Sequence, residues 1–410
     1  MKILFFTHYF PPEGNAPASR TYEHCVRWVR AGHEVTVITC VPNVPNGVPY
    51  EGYKNRLRSQ KEVVNGINVI RVWTLLAPNS GFTKRILNYA TYMLTATWAG
   101  WWVRRPDVVI ATSPQFFCGW AGVLVQFLRR LPFVLEIRDI WPESITAVGA
   151  MKRGLAIRVL EWLEKRMYRS ADHIVAVGKG YRENVSSKAP VGERTSVIYN
   201  GVDGEQFQPV PLDVEFIAEH GMTDRFVVSY VGTIGMAHGL ETVLDAAEKL
   251  KSQGRSDIGF LLVGDGARRE SLEQESKDRG LTDFVRFTGR LPKSDMPRVL
   301  ASSDALLVHL RACDLFTTVI PSKIFEAMAM QRPIIMGVRG ESADIVRDAN
   351  AGLDMEPGDA DSLIECLSKL KDDPELYSSI TSNGRRFVLE EFSRDRFAER
   401  YLELLESVTR

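Results

Sequence analysis

Ser322, Lys323 and Glu326 place a capping hydroxyl, a point cation and a carboxylate close together in the segment Ile320–Ile335, IPSKIFEAMAMQRPII. A loop ending in Pro321 leads into a short helical pattern, and the strand-like PIIMG follows. A helix start capped by Ser322 offers free backbone N–H groups that suit a phosphate. Lys323 adds a compact charge there. One turn on, Glu326 can accept two hydrogen bonds from a vicinal diol such as a ribose. The segment predicts a pocket for a nucleoside diphosphate, and it is equally compatible with an ordinary capped helix.

Other loops carry related chemistry. Pro11–Ser19, PPEGNAPAS, is small and turn-rich, so its backbone can approach a phosphate or a sugar; it is not GxGxxG, which disfavours a nicotinamide cofactor. Gly232–Gly239, GTIGMAHG, offers N–H groups, Thr233 and His238 to a diphosphate, or is a plain turn with a surface histidine. Gly264-Asp265-Gly266 reads as a turn needing positive φ. In GRLP, Gly289–Pro292, backbone groups can meet a base edge and Arg290 can reach a phosphate, unless the arginine only faces solvent. In EIRDIWPE, Glu136–Glu143, Asp139 can accept or orient an acceptor's hydroxyl proton; the alternative is a helix cap or an ion pair with Arg138. No Ser–His–Asp, Cys–His or metal-ligand spacing is visible. The five cysteines are scattered and odd in number, as in a chain with reduced thiols.

The elements that must position these loops alternate. MKILFFT, EVTVITC, INVIRVW, DVVIAT, PFVLEI and DHIVAVG are apolar strands between helical stretches, with 41–66 read as a loop rich in Pro, Gly and Asn. Around VIYNGVDGEQFQPVPLD the rhythm breaks, and it resumes with FVVSYVG, IGFLLVG, FVRFTG, DALLVHL and PIIMG. Continuous apolar strands between helices imply parallel sheets covered on both faces. The expected class is α/β, with two tandem Rossmann-like doubly wound domains, residues 1–190 and 191–389, and a cleft between the carboxyl ends of their strands.

Charge is balanced overall but split: residues 1–190 hold 25 Lys/Arg against 13 Asp/Glu, and residues 191–410 hold 26 against 38. All eight tryptophans precede residue 163, so the front half is expected to meet an anionic surface. Nucleic-acid motifs are absent, and no nucleic-acid partner is expected. Ile86–Val103 carries no charge, has Trp98, Trp101 and Trp102 near its end, and is flanked by Lys84/Arg85 and Arg104/Arg105. This pattern fits an interfacial helix or a covering helix better than a membrane span. The opening MKILFFTHYF reads as a buried strand, not a signal peptide.

Taken together, FPPEGNAPASR followed by AGHEVTVIT, NGVD with Phe207 and Pro209, VGDG, FTGRLP and SKIFEAMAMQRPII resemble the fourth sequence family of retaining glycosyltransferases, which have the GT-B fold. RDIWPES and IPSKIFEAMA look most like transferases of bacterial O-antigen and capsule assembly, nearest to those acting on N-acetylfucosamine-type sugars. The resemblance implies transfer of a sugar, N-acetylated or deoxy, from a nucleoside diphosphate donor, UDP by expectation, to a polyprenyl diphosphate-linked saccharide in surface polysaccharide (lipopolysaccharide) biosynthesis. It implies a C-terminal domain that binds the donor, an N-terminal domain that binds the acceptor, and a last helix, about 390–410, that packs back on the N-terminal domain. In that pattern Glu326 holds the ribose, Pro321, Ser322 and Lys323 lie by the diphosphate, and Gly232 and Thr233 border it. Arg290 and Leu291 meet the base, Gly14 and Asn15 approach the donor from the other domain, and Arg138 and Asp139 form the acceptor side. Asp139, Lys323 and Glu326 are the expected catalytic set, with no metal and no cofactor. The expected location is cytoplasmic, peripheral on the inner face of the cell membrane.

The chain departs from the family pattern in two places. Thr318 stands where a second glutamate is usual, and the usual arginine–lysine pair falls on Thr233 and His238, leaving Lys323, Arg290 and Arg311 to meet the leaving-group charge. Two rivals therefore stand: a nucleotide-sugar epimerase of the same shape, and a non-catalytic sugar-nucleotide-binding protein.

Overall fold

A computed structural model of the chain describes residues 1–44, 46–77, 82–113, 115–143 and 154–410. The chain forms two compact units, Met1–Asn200 with Arg394–Arg410, and Gly201–Ser393.

The first unit is built on strands β1 (Lys2–Phe6), β2 (Glu34–Cys40), β3 (Gln60–Val64), β4 (Ile67–Val72), β5 (Val108–Thr112), β6 (Phe133–Ile137), β7 (His173–Ala176) and β8 (Thr195–Val197). Their order is β3-β4-β2-β1-β5-β6-β7-β8. Strands β1, β2, β5 and β6 are apolar runs buried on both faces apart from the first residue of β1 and β2, the signature of central parallel strands. Among the described residues of this unit, strand β3 alone runs antiparallel. It lies inside the stretch read as a loop: Asn65 and Gly66 both take positive φ, 48° and 82°, and close a two-residue hairpin between Val64 and Ile67. The boundary expected at residue 190 moves to 200, because β8 pairs with β7 and completes the first sheet.

The unit's last element comes from the far end of the chain. Helix Arg394–Thr409 packs on helix Ala16–Arg30. There the Trp28 indole donates to the Ala398 carbonyl at 3.1 Å, and Tyr401 meets Trp28 edge-on at 5.2 Å between centroids. Among the described residues no helix is long and apolar enough to cross a membrane.

The second unit holds β9 (Phe226–Val231), β10 (Ile258–Val263), β11 (Val285–Gly289), β12 (Ala305–His309), β13 (Ile334–Gly337) and β14 (Gly352–Asp354), all parallel, in the order β11-β10-β9-β12-β13-β14. The chain runs from β9 outward to β11, then returns to the other side of β9. This reversal between β9 and β12 leaves the loops after those two strands diverging at their carboxyl ends, the usual ligand site of such sheets. In the first unit the same reversal falls between β1 and β5, so the loop containing Gly14 and Asn15 leaves β1 at that unit's own switch point.

Candidate functional site

In the second unit the reversal point gathers Gly232, Thr233, His238 and Lys323. Lys323 opens helix Lys323–Ala329, whose Ile324, Phe325, Ala327, Met328 and Ala329 are buried and fix its orientation. Its ammonium sits 3.9 Å from the centroid of the Tyr230 ring. A Cβ at Gly232 would lie only 3.0 Å from that Nζ, so the glycine makes room for the lysine. Burial pulls the Lys323 ammonium down to about 7, although the Glu326 carboxylate works the other way. The result is a cation held in a poorly solvated aromatic nest, where an incoming anion interacts more strongly than it would in water.

The loop around this cation is stitched into the sheet. The Tyr230 hydroxyl donates to the Thr233 carbonyl at 2.7 Å, the Ile234 amide to the Asp265 carbonyl at 3.0 Å, and the Arg311 amide to the Ala237 carbonyl at 2.9 Å. Gly264 (φ +143°) lies so close that a Cβ there would stand 1.8 Å from the Gly232 carbonyl oxygen. His309, buried at the end of β12, accepts from the Gly358 amide on Nε2 at 2.9 Å. Its Nδ1 then carries the proton and donates to the His238 carbonyl at 2.7 Å. Burial first and then Lys323 hold His238 down to about 4, and burial also lowers His309, so both rings are neutral beside the lysine. Tyr230 and His309 were not singled out from sequence. Their signal was position, Tyr230 within β9 and His309 at the last residue of β12, the two strands that border the reversal.

Several expectations are corrected. Ser322 stands at the N-cap position but is already α-helical (φ −58°, ψ −24°), and its side chain makes no capping bond; the Phe325 amide bonds its carbonyl instead. The helix has seven residues, so the local positive charge comes mainly from Lys323 and not from a long dipole. Arg311, expected to help meet leaving-group charge, pairs with Glu241 at 3.0 Å, and Arg268 shares that carboxylate at 2.7 Å. Arg290 is exposed and Leu291 is packed on the cluster around Phe216 and Met222. Both follow β11, the edge strand, with β10 between them and β9, so they flank the lysine nest without joining it. Pro321 and Glu326 are partly buried on either side of Ser322 and Lys323, and Thr318 ends a 3-10 turn, Asp314–Thr318.

In the first unit, Asn15 caps helix Ala16–Arg30, its Oδ1 accepting from the Ala18 amide at 2.9 Å. Gly14 precedes it with open space where a Cβ would be. The loop is braced by buried Glu13, which accepts from the Asn43 and Val44 amides at 2.9 and 3.2 Å. The Arg138 side chain is buried. Its guanidinium donates to Glu136 and to Asn200, each at 2.5 Å, inside the unit. Burial alone would raise the Glu136 carboxyl, but Arg138 overrides it and holds it down to about 2. Arg138 therefore pairs with Glu136 and not with its neighbour Asp139, since alternate residues of an extended chain share a face. Asp139 is half-buried just past β6. Nearby, Lys188 bridges Glu143 (2.5 Å) and buried Glu164 (2.7 Å). Burial, then the Glu164, Glu143 and Asp139 carboxylates, push the Tyr168 phenol up, so Asp139 lies within electrostatic reach of this network. Among the described residues, no group of three or more His, Cys, Asp or Glu is arranged to hold a metal ion.

Comparison with known proteins agrees with this architecture. The family model "Glycosyl transferase 4-like domain" matches residues 15–201, and "Glycosyl transferases group 1" matches residues 215–387. Among curated relatives, the probable glycosyltransferase WbjE of Pseudomonas aeruginosa is 27% identical over 271 residues, 65% of this chain and 66% of its own length. The putative colanic acid biosynthesis glycosyl transferase WcaI of Escherichia coli K12 is 27% identical over 346 residues, 80% of this chain and 81% of its own. Among solved structures, Anabaena HepE in complex with UDP and glucose superposes with a TM-score of 0.74 at 20% identity, covering 99% of this chain and 100% of that one. With one glycosyltransferase family model on each unit and the same fold over almost its whole length, the chain is a glycosyltransferase, an enzyme of the GT-B fold.

Proposed function

We propose that the enzyme transfers a sugar from UDP, with retention of anomeric configuration, to a polyprenyl diphosphate-linked saccharide during assembly of a bacterial surface polysaccharide of the O-antigen or capsule type. The observation that carries the donor reading is the Lys323 ammonium, held over Tyr230 beside Gly232 at the reversal of the second sheet. That is where a leaving diphosphate needs a preorganised cation and main-chain donors. The names of the relatives support the setting, one being assigned to colanic acid biosynthesis and one solved with UDP and glucose.

In this reading the leaving diphosphate lies on Lys323 and the amides of the Gly232–Gly239 loop, and Glu326 holds the ribose. Arg290 and Leu291 border the base. The acceptor hydroxyl, oriented by Asp139, attacks from the face that the diphosphate leaves, which preserves configuration without an enzyme nucleophile. Lys323 supplies the charge that a metal supplies elsewhere, and no metal or other cofactor takes part. The sugar is an N-acetylated or deoxy hexose, and the enzyme works on the inner face of the cell membrane, where the lipid-linked acceptor resides.

Lys323→Ala and Glu326→Ala test the site directly. Each is expected to weaken UDP binding, seen by calorimetry, and to cut transfer to a lipid-linked acceptor by at least tenfold. Normal UDP affinity and turnover in both variants would rule the assignment out.

A further inference from the structure

The first unit carries a surface that the transfer chemistry does not use. Beside the carboxyl-terminal turns of helix Phe82–Trp101, over strands β2 and β4 and the β3 edge, runs an open groove of about 890 Å3. Five large apolar side chains stand around it in solvent: Leu57 (83% exposed), Val63 (69%), Leu94 (63%), Trp98 (67%) and Trp102 (68%). Trp98 and Trp102, one helical turn apart, meet edge-on at 5.7 Å and make a single aromatic ridge. Scattered apolar residues on a surface need no explanation, but a contiguous set around one groove does.

The charges around the groove point one way. Arg58, Lys61 and Arg104 line it, are exposed, and make no ion pair among the described residues. The acidic side chains that share the lining are already matched, Glu34 with Lys2 at 3.5 Å and Glu62 with Arg71 at 2.7 Å. The groove floor is partly polar, with Thr36 and Asn68 beside Ile70, so filling it with hydrocarbon would strand those groups away from water. The apolar contact belongs to the rim.

We propose that this face docks on an anionic lipid bilayer. Trp98 and Trp102 sit at the headgroup level, Leu57, Val63 and Leu94 enter the boundary with the acyl chains, and Arg58, Lys61 and Arg104 lie among lipid phosphates. Amphipathic indoles prefer that level, and basic side chains near such a surface each add about fivefold to partitioning. A neutral glycan leaves the three cations and the aliphatic rim without a role. The docking deepens the reading of a membrane-bound acceptor and rests on it, but its test does not depend on transfer.

The full-length chain is sedimented with vesicles of phosphatidylglycerol and phosphatidylcholine, and with vesicles of phosphatidylcholine alone. The expected result is binding to the anionic vesicles that weakens steeply between low and high salt, with a blue shift of tryptophan emission. The triple variant R58Q/K61Q/R104Q is expected to bind roughly a hundredfold more weakly, and W98S/W102S to lose both binding and the blue shift. Both variants should keep the parent's melting temperature and its UDP affinity, because these side chains are exposed and lie outside the candidate site. Absence of binding to anionic vesicles overturns the proposal, as does binding that neither variant changes. A tryptophan shift on adding a soluble oligosaccharide, with none on vesicles, overturns it in favour of a glycan subsite. Loss of UDP binding in the parent chain would instead count against the donor site and leave the vesicle result standing.

Discussion

At the scale of single residues, the molecule's unusual feature is a lysine whose ammonium gives up its proton near neutrality, at about 7 against an ordinary value of 10.5. A diphosphate beside Lys323 stabilises the charged form, so the bound complex has the higher pKa, and binding above pH 7 must take up a proton. Between the two pKa values the affinity for UDP is expected to fall by up to tenfold per pH unit as pH rises. Isothermal titration at pH 8 in two buffers of different ionisation enthalpy reads the proton uptake directly. Lys323→Arg, charged throughout, should remove the uptake and flatten the pH dependence. Equal uptake in parent and arginine variant would place the titrating group elsewhere. The identity of this lysine is plain in SKIFE, but its setting is not. Tyr230 and Gly232 reach it only because β9 and the helix after β12 are brought together by the reversal of the sheet, a tertiary contact with no local trace. The pairing of Arg138 was readable in principle, since alternate strand residues share a side, and Glu136 was the partner to expect.

At the scale of elements, the central strands were legible because parallel strands covered on both faces are near-continuous apolar runs. The hairpin of β3 and β4 was missed although Asn65-Gly66 announces it, since the surrounding Pro, Gly and Asn content argued for a loop. The close approach of the loops after β9 and β10 left only glycines as a hint. That approach sets a sharp expectation. Gly264→Ala puts a methyl group where the Gly232 carbonyl oxygen stands, at a φ of +143° that an alanine resists. The cost is expected to be at least about 2–3 kcal/mol, read by denaturant unfolding. Because Gly232 must move, UDP affinity should fall with it. Gly14→Ala is the contrast: its Cβ meets nothing within 4 Å and its φ is not in the left-handed range, so stability should stay within about 0.5 kcal/mol. A stable Gly264→Ala variant that binds UDP normally would mean that the two loops are free to part.

At the scale of the whole chain, the first unit is not finished until its last residues arrive. The chain leaves that unit at Asn200 and returns at Arg394, and helix Arg394–Thr409 supplies what helix Ala16–Arg30 lacks. Trp28, Phe397, Tyr401 and Leu405 are all buried there, each at 2% exposure or less. Arg27 pairs with Asp395 at 2.5 Å, and Arg394 pairs with Glu23. Burial of four such side chains contributes about 1.5–3 kcal/mol each, a total comparable to the stability of an ordinary domain. Ending the chain at Ser393 should therefore unfold the first unit, although the deletion lies almost two hundred residues beyond the unit's other boundary. The second unit has its own sheet and core and keeps the lysine nest, so UDP binding should survive while transfer is lost. Hydrogen exchange followed by mass spectrometry separates the outcomes: amides of β1, β2, β5 and β6 should exchange freely in the truncated chain, while those of β9, β10 and β12 stay protected. A segment 394–410 fused after residue 200 through a flexible linker should restore protection to the isolated first unit. If the truncated chain keeps β1 and β5 protected, the helix is an accessory and the packing of Tyr401 on Trp28 contributes far less than its burial implies.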